Sequence, residues 1–282
     1  MFTAFEFMLP PFVASLLLLL ITAYFGIHVI KREIIFIDIA LAQIAALGSA
    51  VTLVINNLGS GPSSHAHEHD SRTLMAYAFC LLAAGVFTIL KNKRIKIPME
   101  AIIGIAYAVA TTTAVIILDK GAGSDVHIHD MLAGTILWVT WQHVLRLSIV
   151  VLLIGGFHFC LREKFKKVTL GYLDKNIEVA RSGLWDFLFY FTFGIMIVEA
   201  VSIGGILTVF AFLIIPASVS ALFAERWTTR ILIGLAAGFI ATLGGLWLSW
   251  TRDLPSSPAI VMFLGVCLLL AIIIKGLIRL KT

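Results

Sequence analysis

Residues 203–250 read IGGILTVFAFLIIPASVSALFAERWTTRILIGLAAGFIATLGGLWLSW, two apolar runs on either side of AERWTTR (224–230), which holds every formal charge in the stretch. A bilayer core of about 30 Å is crossed by a helix of about 20 apolar residues. The stretch therefore reads as two membrane-crossing helices joined by a charged turn. Working outward, runs of the same kind fall near 9–30, 34–56, 73–90, 98–118, 135–160, 184–201 and 258–278. With 203–222 and 231–250 this makes nine spans. The runs are long and continuous, without the alternation of a membrane barrel, and a helix satisfies its own backbone groups in lipid. The fold class is thus all-α, a polytopic transmembrane bundle forming one domain over 1–282. At VSIGG (201–205) the sixth and seventh runs meet at a tight turn or a helix break, and eight spans is the alternative count.

Composition agrees. The 282 residues are 60% hydrophobic and 13% charged, against about 25% charged in soluble domains, and the mean hydropathy is +1.02. The longest stretch without strong hydrophobicity, near 161–183, is too short to enclose a core of its own. Cys80, Cys160 and Cys267 lie in apolar runs without CxxC spacing and read as buried hydrophobes. The first residues, MFTAFEFMLPPF, carry Glu6 and no Lys or Arg, so the first run is expected to be retained and not cleaved as a signal peptide.

The net charge of +5 is unevenly placed. With alternating loops, one side holds Lys31, Arg32, Lys91, Lys93, Arg94, Lys96, Arg162, Lys164, Lys166, Lys167, Lys175, Arg181, Arg226, Arg230, Lys275, Arg279 and Lys281. The other side holds Arg72, Lys120 and Arg252, and Arg146 lies within a span. Seventeen against three sets the first side as cytoplasmic, with the N-terminus outside and the C-terminus inside. Membrane-flanking clusters of this kind account for the basic balance without nucleic acid.

Two outer loops stand out. GPSSHAHEHDSRT places His65, His67, His69 and Asp70 together, and KGAGSDVHIHDML places Asp125, His127, His129 and Asp130 together. Imidazole and carboxylate are ligands for borderline divalent ions such as zinc, manganese and iron. Alternating His-x-His makes a chelate on an extended chain and a poor site on a helix face. Inside the spans an ionisable group costs roughly 2.5–3.5 kcal/mol on insertion scales, so it faces a pathway or a partner. Asp38 and Gln43 on the second run are pathway candidates. His143 and Arg146 share a face of the fifth run, and Arg146 is expected to pair with a carboxylate such as Glu199. His28 and His158, beside basic residues, are expected at the membrane interface. GxxxxGK[ST], HExxH and GxSxG are all absent from the sequence, so neither a P-loop ATPase, a zinc protease nor a serine hydrolase is indicated.

Several segments, in order, resemble the permease subunit of bacterial ATP-binding-cassette importers for zinc, manganese or iron. FIDIALAQIAALGSAV (36–51) is similar to the family's Asp-Ala-Leu-Ala-His stretch, and AIIGIAYAVATTTAVIIL (101–118) to its fourth span. LAGTILWVTWQHVLRL (132–147) resembles Leu-Phe-Gly-x-Ile-Leu, and LDKNIEVARSG (173–183) resembles Phe-Asp-Pro-Glu-x-Ala-x-x-x-Gly. LTVFAFLIIPASVSALF (207–223) resembles Leu-Leu-Ile-Pro-Ala-Ala-x-Ala, and DLPSSPAIVM (253–262) resembles Asp-Leu-Pro-x-Gly-Pro with Ser257 in place of Gly. In the second span the family's acid and histidine correspond to Ile39 and Gln43, with an acid one place earlier at Asp38.

The resemblance implies a transmembrane subunit of a bacterial plasma (inner) membrane importer. ATP hydrolysis would reside on separate cytoplasmic ATPase subunits, and this chain would be no enzyme. It would hold no permanent cofactor, only the transported metal. An extracytoplasmic metal-binding protein would deliver that metal, and a second permease copy would complete a homodimer. The ATPase would dock on a short cytoplasmic helix, for which Pro216, Glu225, Arg226, Trp227 and Arg230 are the candidates, with Pro216 marking a kink. The alternative is a secondary metal transporter or channel with no ATPase partner. A membrane-bound redox or assembly factor is a third class.

Overall fold

The computed structural model describes residues 2–58, 65–92, 97–119, 136–173 and 181–281. Ten α-helices and one 3₁₀ turn account for nearly all of them, and no strand occurs among the described residues. They are α1 (Phe2–Arg32), α2 (Ile37–Leu58), α3 (His65–Asn92), α4 (Met99–Asp119), the 3₁₀ turn Ile136–Trp138 and α5 (Trp141–Cys160). There follow α6 (Arg162–Leu173), α7 (Ser182–Gly204), α8 (Ile206–Phe223), α9 (Trp227–Arg252) and α10 (Ser256–Lys281). Among the described residues eight helices are long and apolar enough to cross a membrane, and the apolar part of α2, Ile37–Thr52, is a shorter ninth. The all-helical expectation and its count of spans are met in this form.

Three local outcomes refine the sequence reading. At VSIGG, α7 ends on Gly204 and α8 starts on Ile206, with Gly205 alone between them at φ 74°. A side chain would strain that left-handed backbone, so the glycine makes a one-residue junction between two separate spans. Residues 162–173, too polar for a span, form the helix α6, whose Phe165, Val168 and Thr169 are buried. Helix α3 begins at His65, so the expected extended His-x-His chain is helical instead.

The chain divides into two compact units. Unit one comprises Met1–Arg32, His129–Cys160 and Glu199–Thr282. In it α1 packs against α5, α8 and α9, and α8, α9 and α10 pack on one another. A Cβ on Gly26 would lie 2.0 Å from the Leu213 carbonyl oxygen, so α1 and α8 meet backbone to backbone there. Unit two comprises Glu33–Ile128 and Leu161–Val198, and α2 is clasped by α3 and α4. The run of Ala40, Ala42, Ala45, Gly48 and Ala50 keeps α2 thin. A Cβ on Gly48 would come within 2.8 Å of the Met75 carbonyl oxygen, the close approach that small residues permit between membrane helices.

Candidate functional site

In unit two, Asp38 stands in the first turn of α2 with a relative exposure of 2%. Its carboxylate lies against the backbone N–H groups at the start of α2, and Oδ1 has no hydrogen-bond partner among the described residues. Gln43 is also buried, on the same helix. Five residues place the two side chains about 140° apart around the axis, so they do not form a bidentate pair. Between them Leu41 is held in place: its carbonyl oxygen accepts from Cys80 Sγ at 3.8 Å, and a Cβ on Gly194 of α7 would touch Cys80 Cβ at 3.1 Å.

Unit two also holds a polar cluster that insertion-cost reasoning should have singled out, since Asp186 is an acid inside an apolar run. Its carboxylate is fully buried. It pairs with the Lys91 ammonium and accepts from the Tyr172 hydroxyl at 3.1 Å. Tyr190 lies 3.2 Å from that same hydroxyl. With its one proton given to Asp186, Tyr172 oxygen is the acceptor there. Lys91 also sits 3.7 Å from the centre of the Tyr172 ring, so α3, α6 and α7 are tied at one point.

In unit one, Arg146 Nη2 donates to Glu199 Oε1 at 2.9 Å, the pairing expected for a cation within a span. His143 lies one turn before Arg146 and is turned to its own helix start: the Thr140 N–H donates to Nδ1 at 3.3 Å, leaving the ring proton on Nε2. His28 and His158 are both buried within the protein. The Tyr24 hydroxyl lies 3.2 Å from His158 Nδ1, and His28 packs between Tyr24 at 4.8 Å and Trp227 at 4.6 Å. Aromatic rings on α1 and α9 enclose the two imidazoles.

The docking candidates adjoin this cluster. Pro216 is buried in α8, whose helix is assigned unbroken through it. No separate short helix forms between Pro216 and Arg230: α8 runs to Phe223, Ala224 is extended, and α9 begins at Trp227. The apolar sequence on both sides lets each span continue to the link. Glu225 and Arg226 are exposed. Arg230 Nε donates back to the Ala224 carbonyl at 3.0 Å, and the Lys31 ammonium lies 5.2 Å from the Trp227 ring centre.

For the histidine-rich candidates, His65, His67, His69 and Asp70 fall on the first turns of α3, where only the backbone is described. Asp125, His127, His129 and Asp130 lie outside the described residues. No group of three or more His, Cys, Asp or Glu side chains able to hold a metal occurs among the described residues.

Comparison with known proteins places this architecture. The chain is 25% identical over 281 residues to the high-affinity zinc uptake system membrane protein ZnuB of Buchnera aphidicola subsp. Schizaphis graminum, covering 97% of this chain and 100% of that protein. It is 26% identical over 194 residues to the manganese import system permease protein ScaB of Streptococcus gordonii, covering 66% of each. The solved structure of PsaBC from Streptococcus pneumoniae in complex with Fab shares the fold with a TM-score of 0.76 at 17% identity, covering 98% of this chain and 95% of that one. The profile of the ABC 3 transport family matches residues 4–275, and the chain belongs to that family.

Proposed function

We propose that this multi-pass protein of the bacterial inner membrane is the transmembrane subunit of an ATP-driven importer of a divalent transition metal, zinc or manganese. The observation that carries the reading is the family match over residues 4–275 on a chain whose described residues include eight helices long and apolar enough to cross a membrane. Relatives named for zinc and manganese transport support the metal class. The absence of a nucleotide-binding motif from the sequence assigns ATP hydrolysis to a partner. The charge asymmetry orients the chain with the Ala224–Arg226 link inside, where Glu225, Arg226, Trp227 and Arg230 are offered to that ATPase. On the outer side, His65, His67, His69, Asp70, Asp125, His127, His129 and Asp130 would gather metal handed over by a binding protein. Asp38, buried with one oxygen unpaired among the described residues, is the pathway acid, and Gln43 a neutral oxygen beside the path. Histidine-rich loops favour zinc over manganese, since imidazole suits zinc better.

The test is reconstitution. Vesicles holding the permease with its ATPase should take up radiolabelled zinc or manganese only when ATP is inside and the binding protein outside. Uptake that needs neither would replace the reading with a channel or secondary transporter.

A further inference from the structure

Helix α6 is the one described helix that neither spans the membrane nor continues a span. At 12 residues it is about 18 Å long, and its sequence REKFKKVTLGYL is polar. It joins the end of one span, α5, to the start of another, α7, through Leu161 and residues 174–181, so it lies at the membrane boundary. One face is apolar and buried. Phe165 packs edge-on against Trp185 at 5.7 Å and tilted against Phe189 at 6.5 Å, both on α7, and Val168 and Thr169 are buried beside it. The rest of the helix carries Arg162, Lys164 and Lys167, all exposed, with Lys166 half-buried and Glu163 as the only acid. Arg162 Nε lies 3.8 Å from Glu163, so the acid offsets one of four cations.

Two further observations fix the level of this helix. Trp185 is an amphipathic ring of the kind that gathers at the headgroup boundary, and the Lys164 ammonium lies 4.8 Å from its centre. At the other end, Tyr172 is held by Asp186 and Lys91. Lys91 stands in the last turn of α3, on the face opposite the exposed apolar stripe Leu82, Val86 and Ile89. A stripe of that kind faces acyl chains, so the end of α3 just past Ile89 marks where hydrocarbon gives way to headgroups. Both ends of α6 are therefore pinned to the same boundary, and between them the lysine and arginine stems can lie along the apolar surface while their charges reach outward.

We propose that α6 is a headgroup-binding helix whose Arg162, Lys164, Lys166 and Lys167 hold the phosphates of anionic phospholipids in the adjoining leaflet. A short helix with an apolar face and flanking cations has the form of an interfacial anchor. Juxtamembrane cations are attracted to an anionic surface, each by about fivefold in affinity. Here the anchor also carries the buried Lys91–Asp186–Tyr172 tie, so lipid occupancy would stabilise unit two.

The experiment uses the full chain in nanodiscs of phosphatidylcholine with a rising fraction of phosphatidylglycerol, following the thermal midpoint. The native chain should gain stability as phosphatidylglycerol increases. R162Q/K164Q/K166Q/K167Q should need at least about tenfold more of the lipid for the same gain, while matching the native midpoint in pure phosphatidylcholine. If that variant folds poorly even there, K164R/K166R/K167R, which keeps the charge, should retain the native response. Inorganic phosphate added to neutral nanodiscs should not reproduce the gain. Three results would overturn the proposal: an unchanged lipid response in the glutamine variant, a full effect from free phosphate, or equal loss from K275Q/R279Q at the far end of the chain. An intact lipid response with lost ATPase co-purification would reassign the face to a protein partner.

Discussion

Arg146 on α5 donates to the buried Glu199 carboxylate at 2.9 Å, although 43% of the arginine side chain is exposed. The carboxylate thus depends on a cation that is itself partly open to its surroundings. Removing one member of a fully buried pair costs about 3–5 kcal/mol, and the exposure of Arg146 reduces this. R146A should therefore lower stability by roughly 1–3 kcal/mol, and R146A/E199Q should recover part of that. A double-mutant cycle on the thermal or denaturant midpoint reads the coupling; strictly additive losses would mean the contact contributes nothing.

The approach of α1 to α8 gives a second prediction. G26A places a methyl carbon where the Leu213 carbonyl already stands, and overpacking of this kind costs about 1–3 kcal/mol. G156A on α5 meets nothing within 4 Å and should be neutral or stabilising by up to about 1 kcal/mol. Comparing the two midpoints separates a packing effect from a general intolerance of alanine.

Asp38 can be separated from its fold. D38N retains shape and can still accept the backbone N–H groups, so the chain should insert and purify normally. A charge-assisted contact is worth about 1.5–3 kcal/mol, so metal uptake by the assembled transporter should fall roughly ten- to a hundredfold. Uptake at the native rate would make Asp38 a cap for α2 and nothing more.

The outer histidines should matter when metal is scarce. H65A/H67A/H69A with H127A/H129A should raise the metal concentration needed for half-maximal uptake and leave the maximal rate near native. Equal uptake at every concentration would show the loops to be passive.

How far the sequence carried differs from residue to residue. The spans were legible because lipid demands about 20 apolar residues in a row, and only the bounds shifted, as when Trp141 opened α5 after a 3₁₀ turn. The Arg146–Glu199 contact was legible because a cation in a span requires a partner. Helix α6 was not, since its apolar face of Phe165, Val168 and Thr169 is too short to register as hydropathy. The burial of His28 and His158 was hidden too, because the rings that enclose them come from Tyr24 and, far along the chain, Trp227. Asp186 was missed although the rule that found Asp38 applies to it equally. Of its partners, Lys91 enters the sequence reading only as a loop cation, and Tyr172 carries no signal there at all.

The link between α8 and α9 has one more consequence. Phe223 and Trp227 are four residues apart, a reach of at most about 14 Å, whereas packed helices already stand 8–10 Å apart. The Arg230 bond to Ala224 and the ring contact of Trp227 with His28 take up part of the remaining slack. A load applied at Glu225 or Arg226 would therefore pass into the two helices as tilt and not be absorbed as loop extension, which makes this turn a stiff lever arm.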